Sequence, residues 1–204
     1  MLDLLLAALG VLCLSGLASA IAARSDRLCL WAGSLGSLLA SALGVVGAVW
    51  GLLSPEPHSL RVPWPLPVGE LHIGLDPLSS FFLLCIFVVS GLAAVYGLGY
   101  LPAYIGRRRL APAVAFFNVL VAAMVAVVIA RDGILLIVAW EIMSIASYFL
   151  VTFVVRQLTS SWAAWEMNFE VRSGALSARL LRPLNPIVAY AAENVSALPI
   201  LQRL

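Results

Sequence analysis

The stretch GILLIVAWEIMSIASYFLVTFVV, residues 133–155, is 23 residues long and carries one charge, Glu141. An α-helix rises 1.5 Å per residue, so a run of this length reaches across the roughly 30 Å of hydrocarbon in a bilayer. It reads as a membrane-spanning helix. Four further apolar runs precede it, at about 2–22, 28–53, 77–101 and 113–130. Backbone in contact with lipid must satisfy its hydrogen bonds internally, so the gaps between the runs belong at the two membrane surfaces. The expected fold is an all-α integral membrane protein with five transmembrane helices. Residues 1–155 form its membrane domain and residues 156–204 a tail.

Composition supports this. The chain has 204 residues, 63% hydrophobic and 11% charged, with a mean hydropathy of +1.05. Soluble domains carry about 25% charged residues. All 12 basic residues are Arg, and the net charge of +2 is spread beside apolar segments, which argues against a nucleic-acid partner. Cys13, Cys29 and Cys85 lie in or beside the apolar runs without C-x-x-C spacing and read as small buried hydrophobes. The two histidines, His58 and His72, fall in one polar connection. No span holds paired histidines, so the expectation is no metal and no cofactor.

The first run raises a question, because "ASA" at 18–20 resembles a signal-peptidase site. Its start, "MLD", has no basic residue and does carry Asp3, the opposite of a signal-peptide flank. A retained helix is the preferred reading. Arginines then set direction. Arg24 and Arg27 follow the first run, Arg107, Arg108 and Arg109 the third, and Arg156, Arg172, Arg179 and Arg182 the fifth. The other connections hold only Arg61 and Arg131. The positive-inside rule therefore places the N-terminus outside and the tail in the cytoplasm of a cell-membrane (inner-membrane) protein.

The long outer connection contains two short alternating runs, Leu60 to Val62 and Glu70 to Leu75, around a Pro/Gly-rich turn. They read as an outer β-hairpin between the second and third helices. In "DPLSS", Asp76 suits an N-cap and Pro77 the first helical position, so a cap is preferred there to a proton site. Within the tail, Leu158, Trp162, Trp165 and Phe169 recur on one helical face. That pattern fits an amphipathic helix lying at the membrane surface, or equally a partner-binding segment. Pro183, Pro186 and Pro199 then break the chain. "NVS" at 194–196 matches a glycosylation acceptor but falls on the expected cytoplasmic side.

Glu141 is the residue the apolar pattern does not explain. An ionised side chain at a helix centre costs about 2.5–3.5 kcal/mol on insertion scales, so it should face protein or water and find a partner. In one reading it staples two helices together or lies near enough to the outer surface to be solvated. In the other it takes and releases a proton near neutral pH. Ser144 and Tyr148 follow at i+3 and i+7 and form a polar strip with it. Hydroxyls donate and accept, which serves a proton relay as well as inter-helix bonding.

Several segments carry a family resemblance. "LDPLSSFFLL" (75–84), "FFNVLVAAMVAVVIARDGILLIVAWE" (116–141) and "WEIMSIASYFLV" (140–151) together resemble the antiporter-like subunits of complex I and its relatives. The antiporter-like membrane subunit of hydrogenase-4 and formate hydrogenlyase-type complexes looks nearest, with the Mrp antiporter large subunits next. The outer element "PWPLPVGELHIGLDPLSSFF" (63–82) adds to the resemblance, which covers roughly residues 1–155.

The resemblance implies a proton- or ion-translocating subunit built from inverted repeats, with no redox centre of its own. Its partners would be other membrane subunits of a hydrogenase or complex I-like assembly, besides the lipid bilayer. It implies that the acid matching Glu141 works with a lysine two helices later. This chain has no lysine and nothing familiar beyond Arg156. The expectation is therefore an amino-terminal part of such a subunit, from a truncated, frameshifted or split gene, or a longer relative rejoined by deletion. Two further readings stay open: a structural or assembly component that does not conduct, and part of a stand-alone cation/proton antiporter.

Overall fold

The computed structural model describes residues 1–54, 56, 58–63, 71–105 and 110–174, leaving aside the side chains of residues 104, 156–167 and 170. The chain divides into two units, Met1–Leu150 and Val151–Leu204. The described elements run α1 (Leu2–Ile21), α2 (Asp26–Leu53), β1 (His58–Val62), β2 (Leu71–Leu75), α3 (Pro77–Tyr100), α4 (Ala111–Ile129) and α5 (Gly133–Ser173). Short 3-10 turns, Ala22–Arg24 and Leu101–Tyr104, follow α1 and α3.

Among the described residues, five helices are long and apolar enough to cross a membrane. The protein is a multi-pass membrane protein with a small two-stranded sheet. α5 differs from the expected fifth span in one respect. Its apolar part covers Gly133–Val155, but the helix continues to Ser173, where Gly174 ends it at a φ of 76° that glycine adopts without strain. Loss of apolar character does not itself break a helix. No proline or glycine interrupts 134–173, so the backbone ladder continues.

In the first unit α2 packs along α1 and α3, and α1 along α4. Lipid tails are as apolar as leucine, so helices in a bilayer associate through close packing and polar contacts rather than through loss of water. α2 shows how. Its buried positions include Gly33, Ser34, Ser37, Ala40, Ser41, Gly44, Gly47, Ala48 and Gly51, a seam of small side chains along one face. Phe87 of α3 fills the space at Gly44, where a Cβ would stand 2.4 Å from its ring carbons. Leu5, Ala8 and Leu12 of α1 and Val121, Val125 and Ile129 of α4 complete the apolar core. Large side chains such as Leu17, Trp31, Leu39, Val89 and Leu92 are exposed on the outside of the bundle.

The hairpin strands pair antiparallel from His58↔Leu75 to Val62↔Leu71. They start earlier on β1 than the sequence pattern suggests; Glu70 and the turn at 64–70 lie outside the described residues. β1 is exposed throughout, whereas Ile73, Gly74 and Leu75 of β2 are buried. Ile73 also bridges to Ala130 after α4, so the hairpin is seated on the bundle. Of the cysteines only Cys29 is buried; Cys13 and Cys85 are exposed, contrary to the expectation of three buried thiols. The periodicity of a uniformly apolar helix does not say which side meets protein and which meets lipid. Arg107, Arg108, Arg109, the prolines at 183, 186 and 199, and residues 194–196 lie outside the described residues. So do the side chains of Leu158, Trp162 and Trp165.

Candidate functional site

α5 opens on Asp132, whose Oδ2 accepts the backbone N–H groups of Ile134 and Leu135 at 2.9 and 3.2 Å. The cap satisfies donors that would otherwise point into the membrane boundary unpaired. From there the helix carries Glu141, Ser144 and Tyr148 along one face. Glu141 and Tyr148 are exposed, as are Ser144 and Trp140 beside them. In the apolar part of α5 only Ala139 and Ala146 are fully buried, while Leu135 packs against the apolar core.

The structure therefore places the three predicted residues on a common strip but does not join them to one another. Ser147 Oγ donates to the Ser144 carbonyl at 2.8 Å. The Tyr148 ring meets Phe149 edge-on at 5.5 Å, and Phe149 stacks on Phe116 of α4 at 4.9 Å and 17°. Among the described residues Glu141 has neither a hydrogen-bond partner nor a counter-charge. A carboxylate on the outward face of a spanning helix needs another polar group, water or a proton supplied from beyond this bundle.

A second polar constellation lies at the N-terminal end of α3, where the sequence reading preferred a cap to a proton site. Asp76 does cap α3: its Oδ1 accepts the Ser79 N–H at 2.7 Å. Its other oxygen accepts Arg131 Nη2 at 2.6 Å, and the same nitrogen donates to Ser79 Oγ at 2.9 Å. The Arg131 backbone N–H in turn donates to the His72 carbonyl at 2.9 Å. The Ser79 N–H bond holds the Asp76 carboxyl below the usual carboxylate range; partial burial opposes this, and the Ser79 hydroxyl and Arg131 reinforce it. The signal that could have found this pair is topological, since Asp76 precedes α3 and Arg131 follows α4, ends of consecutive spans that must lie on the same side. An open hollow of about 200 Å³ beside them is lined by His58, Arg61, His72 and Arg131, among others. Among the described residues no three His, Cys, Asp or Glu side chains gather as metal ligands.

Comparison with known proteins bears on these residues. The chain is 30% identical over 156 residues to hydrogenase-4 component B of Escherichia coli K12, a match covering 76% of this chain and 23% of that protein. It is 33% identical over 131 residues to NADH-quinone oxidoreductase subunit L of Mycobacterium tuberculosis, covering 62% of this chain and 19% of that one. Its homologues are antiporter-like membrane subunits.

A solved structure of the Mrp complex from Dietzia sp. DQ12-45-1b contains a chain of similar fold. The TM-score is 0.52 and the identity 27%, over 93% of this chain and 22% of that one. The chain thus spans about a quarter or less of each antiporter-like relative named here. A family model described as ABC-2 family transporter protein also matches, over residues 135–204. The two likenesses disagree about the segment containing Glu141. The antiporter-like one carries more weight: it covers most of the chain and includes a matching fold, whereas the ABC-2 model begins inside α5 and covers about a third of the residues.

Proposed function

We propose that this chain is a proton- or ion-translocating membrane subunit of the antiporter-like kind, working inside a larger membrane oxidoreductase or hydrogenase assembly. Glu141 is its proton-exchanging group, and Ser144 and Tyr148 are the hydroxyls that hand protons to and from it. The observation that carries this reading is the position of Glu141: a lone carboxylate on the outward face of a spanning helix, with no counter-charge among the described residues. Such a group is costly in lipid and is expected where a partner helix or a water file meets it. The chain supplies one protonatable store at mid-membrane and a hydroxyl strip; the counter-charge and the remaining path come from partner subunits.

A second reading, a non-conducting assembly component, is favoured by the same lack of a counter-charge among the described residues. One experiment separates them. The chain is reconstituted into liposomes with a pH-sensitive dye and an imposed potential, alone and with its co-purified membrane partners. Proton flux is expected only in the joint preparation, and the Glu141→Gln variant should lower it at least tenfold. Joint flux indifferent to Glu141→Gln would remove Glu141 from the path and leave the assembly role. Flux from the chain alone that vanishes in Glu141→Gln would show that its own helices suffice.

A further inference from the structure

The interior between α1, α2, α3 and α4 holds polar side chains remote from Glu141, and most of them are paired. Ser15 Oγ donates to the Leu12 carbonyl at 3.1 Å, and Ser19 Oγ to the Ser15 carbonyl at 2.8 Å. The Ser41 and Ser90 hydroxyls bond across α2 and α3 at 3.1 Å. Two atoms have no partner among the described residues: Asn118 Oδ1 on α4 and Ser37 Oγ on α2. Both residues are 0% exposed.

The Asn118 amide cannot resolve this by turning over. Its Nδ2 donates to the Gly33 carbonyl at 3.3 Å and to the Val114 carbonyl at 3.1 Å. Reversal would set Oδ1 against those two acceptors, so the oxygen stays on the far side of the amide. Gly33 makes the approach possible: a Cβ there would stand 2.1 Å from Val114 Cγ1 and 3.2 Å from Asn118 Nδ2. In an α-helix the carbonyl of residue 33 is the acceptor for the N–H of residue 37. The Asn118 side chain therefore lies along the turn that ends at Ser37. Two unpartnered buried atoms thus lie within about one helical turn of the Gly33–Asn118 contact.

We infer that this region holds an internal water molecule, donating to Asn118 Oδ1 and hydrogen-bonded to Ser37 Oγ. Buried waters settle where two or more polar groups are otherwise unsatisfied, which describes this place. The water belongs to the α1–α2 side of α4. Phe116, two residues before Asn118, meets Phe149 of α5, so the site is distinct from the Glu141 strip.

Infrared spectroscopy of the protein in nanodiscs, hydrated with ordinary and with oxygen-18 water, tests this. Wild type should show an isotope-sensitive O–H stretching band of an isolated internal water. Both Ser37→Ala and Asn118→Leu should lose it, and Ser37→Thr, which keeps the hydroxyl, should retain it. Ser37→Ala removes a single oxygen atom and decides the matter alone if Asn118→Leu fails to fold. Absence of the band in wild type, or its persistence unchanged in Ser37→Ala, overturns the inference.

Discussion

Arg131 Nη2 stands 2.6 Å from Asp76 Oδ2, although the two residues are 55 positions apart in the chain. The pair joins the first turn of α3 to the short connection that leads into α5, and the Arg131 backbone N–H adds β2 to the same junction. Three elements thus meet at one residue, Arg131. The two side chains are 32% and 39% exposed, so the ion pair by itself is worth about 0–1 kcal/mol.

Asp76 has two roles that substitution can separate. Asp76→Asn keeps a good N-cap but removes the charge, and is expected to cost under about 1 kcal/mol. Asp76→Ala removes both, at about 1 kcal/mol more. Thermal unfolding in detergent, followed by tryptophan fluorescence, measures the difference. Equal losses in the two variants would assign all the stabilisation to charge.

The same carboxyl predicts a pH dependence. Its folded-state value lies below the ordinary carboxylate value, chiefly through the Ser79 N–H bond. A depressed acid stabilises the fold above its unfolded value of about 3.9, and that contribution disappears as pH falls through the lower folded value. The stability gap between wild type and Asp76→Asn should therefore be constant above about pH 5 and close below about pH 4. A gap that widens toward acid would reverse the sign and refute the assignment.

Gly44 lets α2 and α3 approach. Gly44→Ala places a methyl group where the Phe87 ring now lies and is expected to destabilise the bundle by about 1–3 kcal/mol through overpacking. Shortening the opposing ring with Phe87→Leu should recover part of the loss in the double variant. Thermal unfolding of the four proteins gives the coupling directly; strictly additive losses would show that the two positions do not press on each other.

Within the Glu141 strip the residues should rank by chemistry. Ser144→Ala and Tyr148→Phe remove hydroxyls that water can replace, so each should lower proton flux of the assembled preparation by less than about tenfold, short of the loss in Glu141→Gln. A Tyr148→Phe loss equal to that of Glu141→Gln would make the phenol an obligatory carrier. Dye-reported flux in liposomes reads all three.

Direction in the membrane is a further expectation, resting on the arginine asymmetry. In a background with Cys13, Cys29 and Cys85 replaced by Ala, a cysteine at Ser59 on the exposed strand β1 should react with an impermeant maleimide added outside intact cells. A cysteine at Arg172 should react only after the membrane is opened. The reverse pattern would invert the topology.

The sequence alone determined the number and the membrane-spanning character of the long apolar helices, but not where α5 ends. Those follow from run length and from the demand that backbone in lipid be hydrogen-bonded within its own segment. It also determined the hairpin and the cap at Asp76, because alternation and N-cap chemistry are local. The strip Glu141, Ser144 and Tyr148 was legible for the same reason: spacing fixes a helical face.

Tertiary structure alone decided which way that face looks. A helix apolar on all sides carries no periodic signal to separate protein from lipid, so the outward position of Glu141 and the exposure of Cys13 and Cys85 could not be read in advance. The contact of Asp76 with Arg131 and the buried meeting of Asn118 with Gly33 likewise depend on how separate spans are arranged, and pairings 55 and 85 residues apart leave no local pattern in the chain.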